Sequence, residues 1–551
     1  MPLIPLTLPP GIYRNGTPYQ SKGRWYGGNL VRFFEGAILP HGGWRQQSTG
    51  AMTGKGRAII SWHDNAQNTW SAIGTESHLY AMTRSGALSD ITPPGLTAGR
   101  ADAVAEGGYG DSTYGAGYAY GAPIPDQNAV QDASMWTLDN FGQYLVGCMS
   151  DDGNIWQWTL NTGTPAARVS GAPSAAAIFT TAEGMLMALG ANTIPRQVMW
   201  SDQQDNTDWT PTTSNQAGDF ELATNGRLLM GLRIKSGSLL FTDIDVWLAT
   251  YQANELVYGF TRVGLGSGAI SRGAAMAVDA VSSAYGAQAV WMGDNGFWLY
   301  NGYVLPLACD VWDYVFNNLN QLQRSKITCE MNSAFGEITW HYPSASSTEI
   351  DSYVTWNFRE NHWTVGQVSR LAGVDAGINA QYPLRVGTDG YVYEHEVGFS
   401  YGGAMPYLES GPFELGAGDQ VQYARRLLPD DLTAGDVKAT FFVKFEPDDA
   451  ETGFGPYALS KLTDLRFAGR QMRVHYDGVN LAGGRIGAPR LDLMAGGCGN
   501  SRFLSLSKSE DRRTVDALLV LPVLGRRLAS RPRLASSLPQ LIAARSGARL
   551  Y

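Results

Sequence analysis

The chain has 551 residues, 44% of them hydrophobic, which is enough for one large core and excludes a chain disordered throughout. Gly accounts for 66 positions and aromatics for 11%, while charged residues make up only 17%, below the roughly 25% of an average soluble domain. This turn-rich, aromatic-rich composition favours β-structure and excludes a coiled coil. The net charge of −9 is unevenly spread: residues 498–551 hold ten Lys/Arg against three Asp/Glu, a net of +7, which leaves −16 on residues 1–497. An acidic body does not clamp nucleic acid by neutralising phosphates, although it can surround it.

Residues 1–55 read as an extended N-terminal arm. The opening MPLIPLTLPP has four prolines and no basic stretch, so a secretory signal is not expected. Asn15-Gly16, Gly27-Gly28 and Gly42-Gly43 are turn signals between short alternating runs such as Asn29-Leu30-Val31-Arg32-Phe33.

From Gly56 a pattern recurs, in which a β-rich stretch ends in a polar turn followed by a short aromatic strand. Ser150-Asp151-Asp152-Gly153-Asn154-Ile155-Trp156, Gly293-Asp294-Asn295-Gly296-Phe297-Trp298 and Gly387-Thr388-Asp389-Gly390-Tyr391-Val392-Tyr393 are examples. An acidic or amide residue before Gly suits a tight hairpin with positive φ. The units are irregularly spaced, but their lengths cluster near the 40 to 50 residues of a four-stranded propeller blade. They predict an all-β fold, a divergent β-propeller of six to seven blades over 56–400, with blades near 56–95, 131–170, 174–225, 226–262, 271–318 and 325–370 and a closing unit near 371–400. A pair of β-sandwiches is the competing architecture. Within this region Gly107 to Gly121 carries six Gly and four Tyr, which predicts a flexible loop, either a tolerated insertion or an adaptable contact surface. Asp310 to Gln323 places Val311, Tyr314, Val315, Leu319 and Leu322 at helical spacing and predicts one amphipathic helix with Asp310 as its cap.

Residues 401–497 read as an additional C-terminal β-rich module, with strands at Val437–Glu446 and Leu465–Tyr476. Residues 498–551 form a basic, flexible tail interrupted by Pro522, Pro532 and Pro539, for which a DNA-binding arm is the alternative. The longest apolar run near this end, Ala517 to Leu524, is far short of a membrane span, so no stable membrane insertion is expected.

The search for chemistry assigns no catalytic, cofactor-binding or metal residues. Gly264 to Gly268 resembles a phosphate loop but lacks the spacing and the following helix. Gly398-Phe399-Ser400-Tyr401-Gly402 fits GxSxG, yet Gly403, Pro406 and Gly411 follow where that motif needs a helix, so Ser400 is not expected to be a nucleophile. Ser150 to Trp156 is similar to the Asp-box hairpin of sialidase propellers, with the Asp–Gly and Trp spacings altered. The seven histidines show no metal-ligand spacing, and Cys148, Cys309, Cys329 and Cys498 form no CxxC pair, so reduced thiols and folding in a cytoplasm are expected.

Several segments resemble, in order over residues 10–497, the packaged-DNA stabilisation proteins of short-tailed bacteriophages, which form the tail nozzle. They are Gly27-Gly28-Asn29-Leu30-Val31-Arg32-Phe33 with Gly42-Gly43-Trp44, then Ser236 to Phe241 with Val246-Trp247, Gly268 to Asn318, Tyr353 to Val365, Gln471 to Val474, and Ala488 to Leu491. The resemblance implies a non-enzymatic virion protein, a tail nozzle or hub assembled in the host cytoplasm. Its partners would be further copies in a homohexameric ring, the portal and adaptor complex, needle, fibre or spike proteins, and genomic double-stranded DNA passing through the lumen. It carries over no functional residues. The alternative from composition is a carbohydrate-binding or glycan-cleaving propeller, such as a receptor-binding protein, because 16 Trp and 26 Tyr suit sugar stacking. A scaffold or adaptor that touches neither DNA nor glycan is the third reading.

Overall fold

Short apolar strands separated by tight polar turns fold into successive antiparallel meanders. In the computed structural model, residues 3–105, 130–377, 380–415, 420–430, 433–446, 448–478 and 484–495 are described. Seven four-stranded antiparallel sheets follow one another in chain order and form a seven-bladed β-propeller. The innermost strands are Gly56–His63, Trp136–Phe141, Ala177–Thr180, Leu228–Ile234, Ala275–Ala277, Thr328–Asn332 and Arg370–Val374. Each lies beside the next and the seventh lies beside the first, so the ring is closed. The expected units match these blades closely, since each polar turn sits between two strands of one meander. The Gly293–Gly296 turn, for example, joins strands paired from Ala289↔Tyr300 to Gly293↔Gly296.

The closing blade departs from the expectation of a self-contained unit at 371–400. Residues 370–395 supply only three strands, and the fourth is Trp44–Gln46 from the N-terminal segment, paired through His395↔Trp44 and Tyr393↔Gln46. A circular array has no free edge, and a strand from the far end of the chain locks the ring shut.

The C-terminal module is a sandwich of two antiparallel sheets, and the N-terminal segment completes it too. Leu3–Pro5 pairs with Arg490–Ala495 at the edge of one sheet, and Trp25–Asn29 pairs with Tyr407–Ser410 at the edge of the other. The strand Val437–Lys444 alternates buried and partly buried residues, and Phe441 meets Phe467 of the facing sheet at 5.3 Å between ring centres. Thr463–Gly469 and Gln471–Gly478 belong to different sheets, so the chain changes sheet at Gly469–Arg470. A Cβ on Gly469 would lie 2.1 Å from Val443 Cγ1, so only glycine lets the strands pass there.

The segment expected as an extended arm is therefore distributed over both bodies. One hydrophobic core runs through it: Trp25 and Phe33 pack with Trp340 and Trp363 of the sixth blade and with Tyr476 of the sandwich. Between the blades, glycine makes room for aromatics. A Cβ on Gly74 would sit 2.4 Å from the Trp136 ring, and one on Gly231 would sit 2.1 Å from Phe179.

The helix expected over 310–323 is only Trp312–Phe316, and Asp310 does not cap it. The Asp310 carboxylate instead pairs with Arg24 at 3.0 Å, and Asn317 and Asn318 break the helical run. Val311, Val315 and Leu319 still face the core, so the apolar stripe packs as its spacing implies, while Leu322 is exposed. The Gly/Tyr tract at 107–121 and the basic tail at 498–551 lie outside the described residues. Among the described residues, no helix is long and apolar enough to cross a membrane.

Candidate functional site: the propeller channel and the buried charge cluster

The seven innermost strands surround a channel of about 440 Å³. Each contributes to the wall: Ile59, Leu138, Phe179, Leu232, Met276, Met331 and Val374 make it largely apolar. At one mouth a two-stranded hairpin, Val104–Ala105 with Val130–Gln131, bridges from the second blade towards the sixth. Ala103 and the Gln323 side chain exchange two hydrogen bonds of 2.9 Å, and Ala133 N–H donates to Ser325 Oγ. Beside them the fully buried Lys326 ammonium donates to Asp102, to Glu349 at 2.6 Å and to the Thr348 carbonyl at 2.7 Å. Arg57 donates to the same Glu349 at 2.6 and 3.0 Å and to the Ala101 carbonyl. At the other end Arg233 pairs with Asp139 at 3.0 Å, and Asp375 accepts from Ser333 N–H.

No histidine lines the channel among the described residues. Its one thiol, Cys329, is pushed well above the ordinary range by burial and then by Glu330, which keeps it protonated. Among the described residues no group of three or more His, Cys, Asp or Glu is placed to hold a metal ion.

The sequence motifs find structural places. Ser400 is exposed on a turn with no helix after it, and its carbonyl accepts a 3.0 Å hydrogen bond from Trp44 N–H. Ser267 O, within the Gly264–Gly268 turn, accepts from Trp291 Nε1 at 2.7 Å. In the box-like hairpin Asp152 accepts from Trp156 Nε1 at 2.7 Å, so its carboxylate orders the turn. Asp389 receives Tyr393 Oη in the same i to i+4 arrangement, which explains why these two repeats look alike.

Sequence reading missed a buried charge cluster where the N-terminal segment meets the sixth and seventh blades. Arg32, 2% exposed, donates to Glu337 at 3.0 Å and to Glu396 at 3.0 and 2.5 Å, and its guanidinium lies 3.7 Å from the centre of the Phe335 ring. Glu330 binds Arg385 and, at 3.0 Å, His341. Arg370 Nε donates to His395 Nε2 at 2.8 Å, and Trp44 stacks on the same imidazole. Burial pushes the Glu396 carboxyl up, but the charge and hydrogen bonds of Arg32 outweigh it and hold it at about 2. For Glu337 burial dominates and the carboxyl is raised despite Arg32. Burial and then Arg32 lower His41 to about 3, and burial with Arg385 and Arg370 pulls His395 well below the ordinary histidine range. Three arginines thus face three glutamates, with His41 and His395 neutral between them. The pairs are separated by 305 and 364 residues, so no local pattern signals them.

No protein-family model matches the chain, and no curated protein matches it. Solved structures to which the chain is similar include a streptogramin B lyase, 9% identical, covering 64% of this chain and 96% of that one with a TM-score of 0.36. The WD40 domain of Neurospora crassa Pan2 is 8% identical, with coverage of 64% and 95% and a TM-score of 0.34. A gluconolactonase from Xanthomonas campestris, XC5397, is 9% identical, with coverage of 67% and 98% and a TM-score of 0.28. By its own strand order the chain is a β-propeller with an added sandwich.

Proposed function

We propose that this chain is a structural virion protein of a short-tailed bacteriophage, a nozzle or hub subunit without catalytic activity. Copies of it would form a ring, hexameric by the resemblance, below portal and adaptor, prolong the DNA channel, retain packaged DNA and let it leave. The observation that carries this reading is where the resembling segments fall. Gly27 to Asn29 and Gln471 to Val474 lie in one sheet of the sandwich, Arg32 anchors the buried charge cluster, and Trp44 closes the propeller. These segments that look like the nozzle family help to weld the two β bodies together, as a part exposed to the pressure of packaged DNA requires, while Ser236 to Trp247, Gly268 to Asn318 and Tyr353 to Val365 lie in blades four to six. The propeller channel is too small for a duplex, so DNA would pass through a lumen framed by several copies. The net of −16 on residues 1–497 suits such a wall, because neutralised phosphates would hold the DNA in place.

The glycan-binding alternative draws less support from the side chains. Of the 16 Trp, only Trp312 is exposed, at 37%, and twelve are buried in the cores, so the tryptophans serve packing rather than sugar stacking. The test is a particle assembled without this chain. The expected result is a head that packages DNA and then leaks it, with retention restored by the purified protein. Particles that keep their DNA without the chain would refute the proposal.

A further inference from the structure

Among the charges that line the propeller channel, one guanidinium stands apart. Arg57 is answered by Glu349, and Arg233 by Asp139. Arg272 has no ion pair or hydrogen bond among the described residues, and its Nε is buried without a partner. It is held in place from below: Ser271 Oγ donates to the Ile327 carbonyl at 2.5 Å, and Cys329 N–H donates to the Gly273 carbonyl at 2.7 Å. These bonds tie the segment before the fifth blade to the sixth, so Arg272 is positioned at the capped end of the channel. Asp132 and Asp151, the acidic groups whose charges reach it, are already engaged, Asp132 by Arg227 at 2.7 Å and Asp151 by Arg100 at 2.9 Å. Burial, then the charge of Arg227, weakens its hold on its proton.

Arg272 is half-buried: its Nε is shut off from water, and its two Nη groups stay accessible where the residue lines the channel. No protein acceptor meets these Nη groups among the described residues, so a guest in the channel can supply one in place of water. The channel, about 440 Å³, falls within the size range of small-molecule sites, and its wall includes Phe179, Met230, Met276 and Met331. A guanidinium presents a flat fork of donors that matches a carboxylate in two parallel hydrogen bonds. Methionine walls adapt to the body of a guest better than branched side chains do.

We propose that the propeller channel binds a small organic carboxylate, with Arg272 gripping the carboxylate and the apolar body lying against Phe179, Met230 and Met276. This site is independent of the tail-nozzle reading, since it requires only the channel of one subunit.

The probe is 4-phenylbutyrate, with 4-phenylbutanol as its neutral counterpart, titrated into the full chain carrying 13C-labelled methionine methyls. Saturable shifts of the Met230, Met276 and Met331 methyls are expected. The alcohol should bind at least about tenfold more weakly, the worth of a charge-assisted fork. Arg272→Met should weaken the acid by a similar factor and leave the alcohol unchanged, whereas Arg196→Met, which removes a surface pair with Glu221, should change neither. Absence of saturable shifts, equal binding of acid and alcohol, or undiminished binding by Arg272→Met overturns the proposal. Should Arg272→Met not fold, Arg272→Lys decides: it keeps the charge but loses the fork, so weaker binding of the acid supports the site and unchanged binding overturns it.

Discussion

Arg32 offers the sharpest test of how the N-terminal segment is held. Replacing it with Met keeps much of its volume but strands Glu337 and Glu396, both bound to it at about 3 Å in a site where Arg32 is 2% exposed. Removing one partner of a buried ion pair costs about 3–5 kcal/mol. The Glu396 carboxyl gives an independent figure. It is held at about 2 rather than its usual 4.5, which is worth about 3 kcal/mol of folding free energy. Because the folded value is the lower one, that stability is present above pH 4.5 and is lost as the pH falls from 4.5 through 2. Glu337 works the other way: its raised carboxyl favours folding at low pH and subtracts from stability as the pH rises. For a chain of this length each kcal/mol moves the thermal midpoint by about 1 °C, so Arg32→Met should lower it by about 3–5 °C at pH 7. Tryptophan fluorescence during a thermal ramp reads this directly, and the gap from the unmodified protein should narrow towards pH 3. The triple variant Arg32→Met, Glu337→Gln, Glu396→Gln removes the stranded charges and should regain at least half of the loss. A single variant within about 1 °C of the unmodified protein, or a triple variant no better than the single one, would refute the reasoning.

Three further outcomes follow from the same structure. His41 is held at about 3 and His362, by burial, at about 4, against about 6.5 when unfolded, so the unfolded chain takes up protons first and stability falls below pH 6.5. Each should cost about 2 kcal/mol between pH 6.5 and 5; urea midpoints measure this, His41→Asn should flatten the slope, and a level profile contradicts the assignment. Gly74→Ala, whose Cβ would strike the Trp136 ring, should cost about 1–3 kcal/mol, whereas Gly50→Ala, which meets nothing, should stay within about 0.5 kcal/mol in the same denaturation assay. Cys148, pushed up to about 12 by burial, and Cys309 and Cys329, also raised chiefly by burial, should resist a thiol reagent at pH 8, leaving at most one fast-reacting thiol until urea exposes all four.

The blades were legible because their hairpins are local. A Gly-Asp-Asn-Gly or Thr-Asp-Gly turn sets two strands face to face within a dozen residues, and period-two alternation supplies the rest. The partners of the N-terminal strands were not, since pairing Ile4 with Leu491 or Trp44 with His395 depends on how the whole ring closes. The same distance hid the charge cluster and left Arg272 looking like any arginine before a strand. The helix fell short for a local reason combined with a distant one, as Asp310 is taken by Arg24 and two asparagines follow the first turn.

The most direct test of the nozzle reading is the mass and symmetry of the purified full-length protein, alone and mixed with a portal–adaptor complex, by mass photometry and electron-microscopic class averages. The account expects a ring of one stoichiometry, six copies, with a lumen wide enough for duplex DNA, formed alone or on the adaptor. A particle that stays a monomer of 59.6 kDa under both conditions would contradict it.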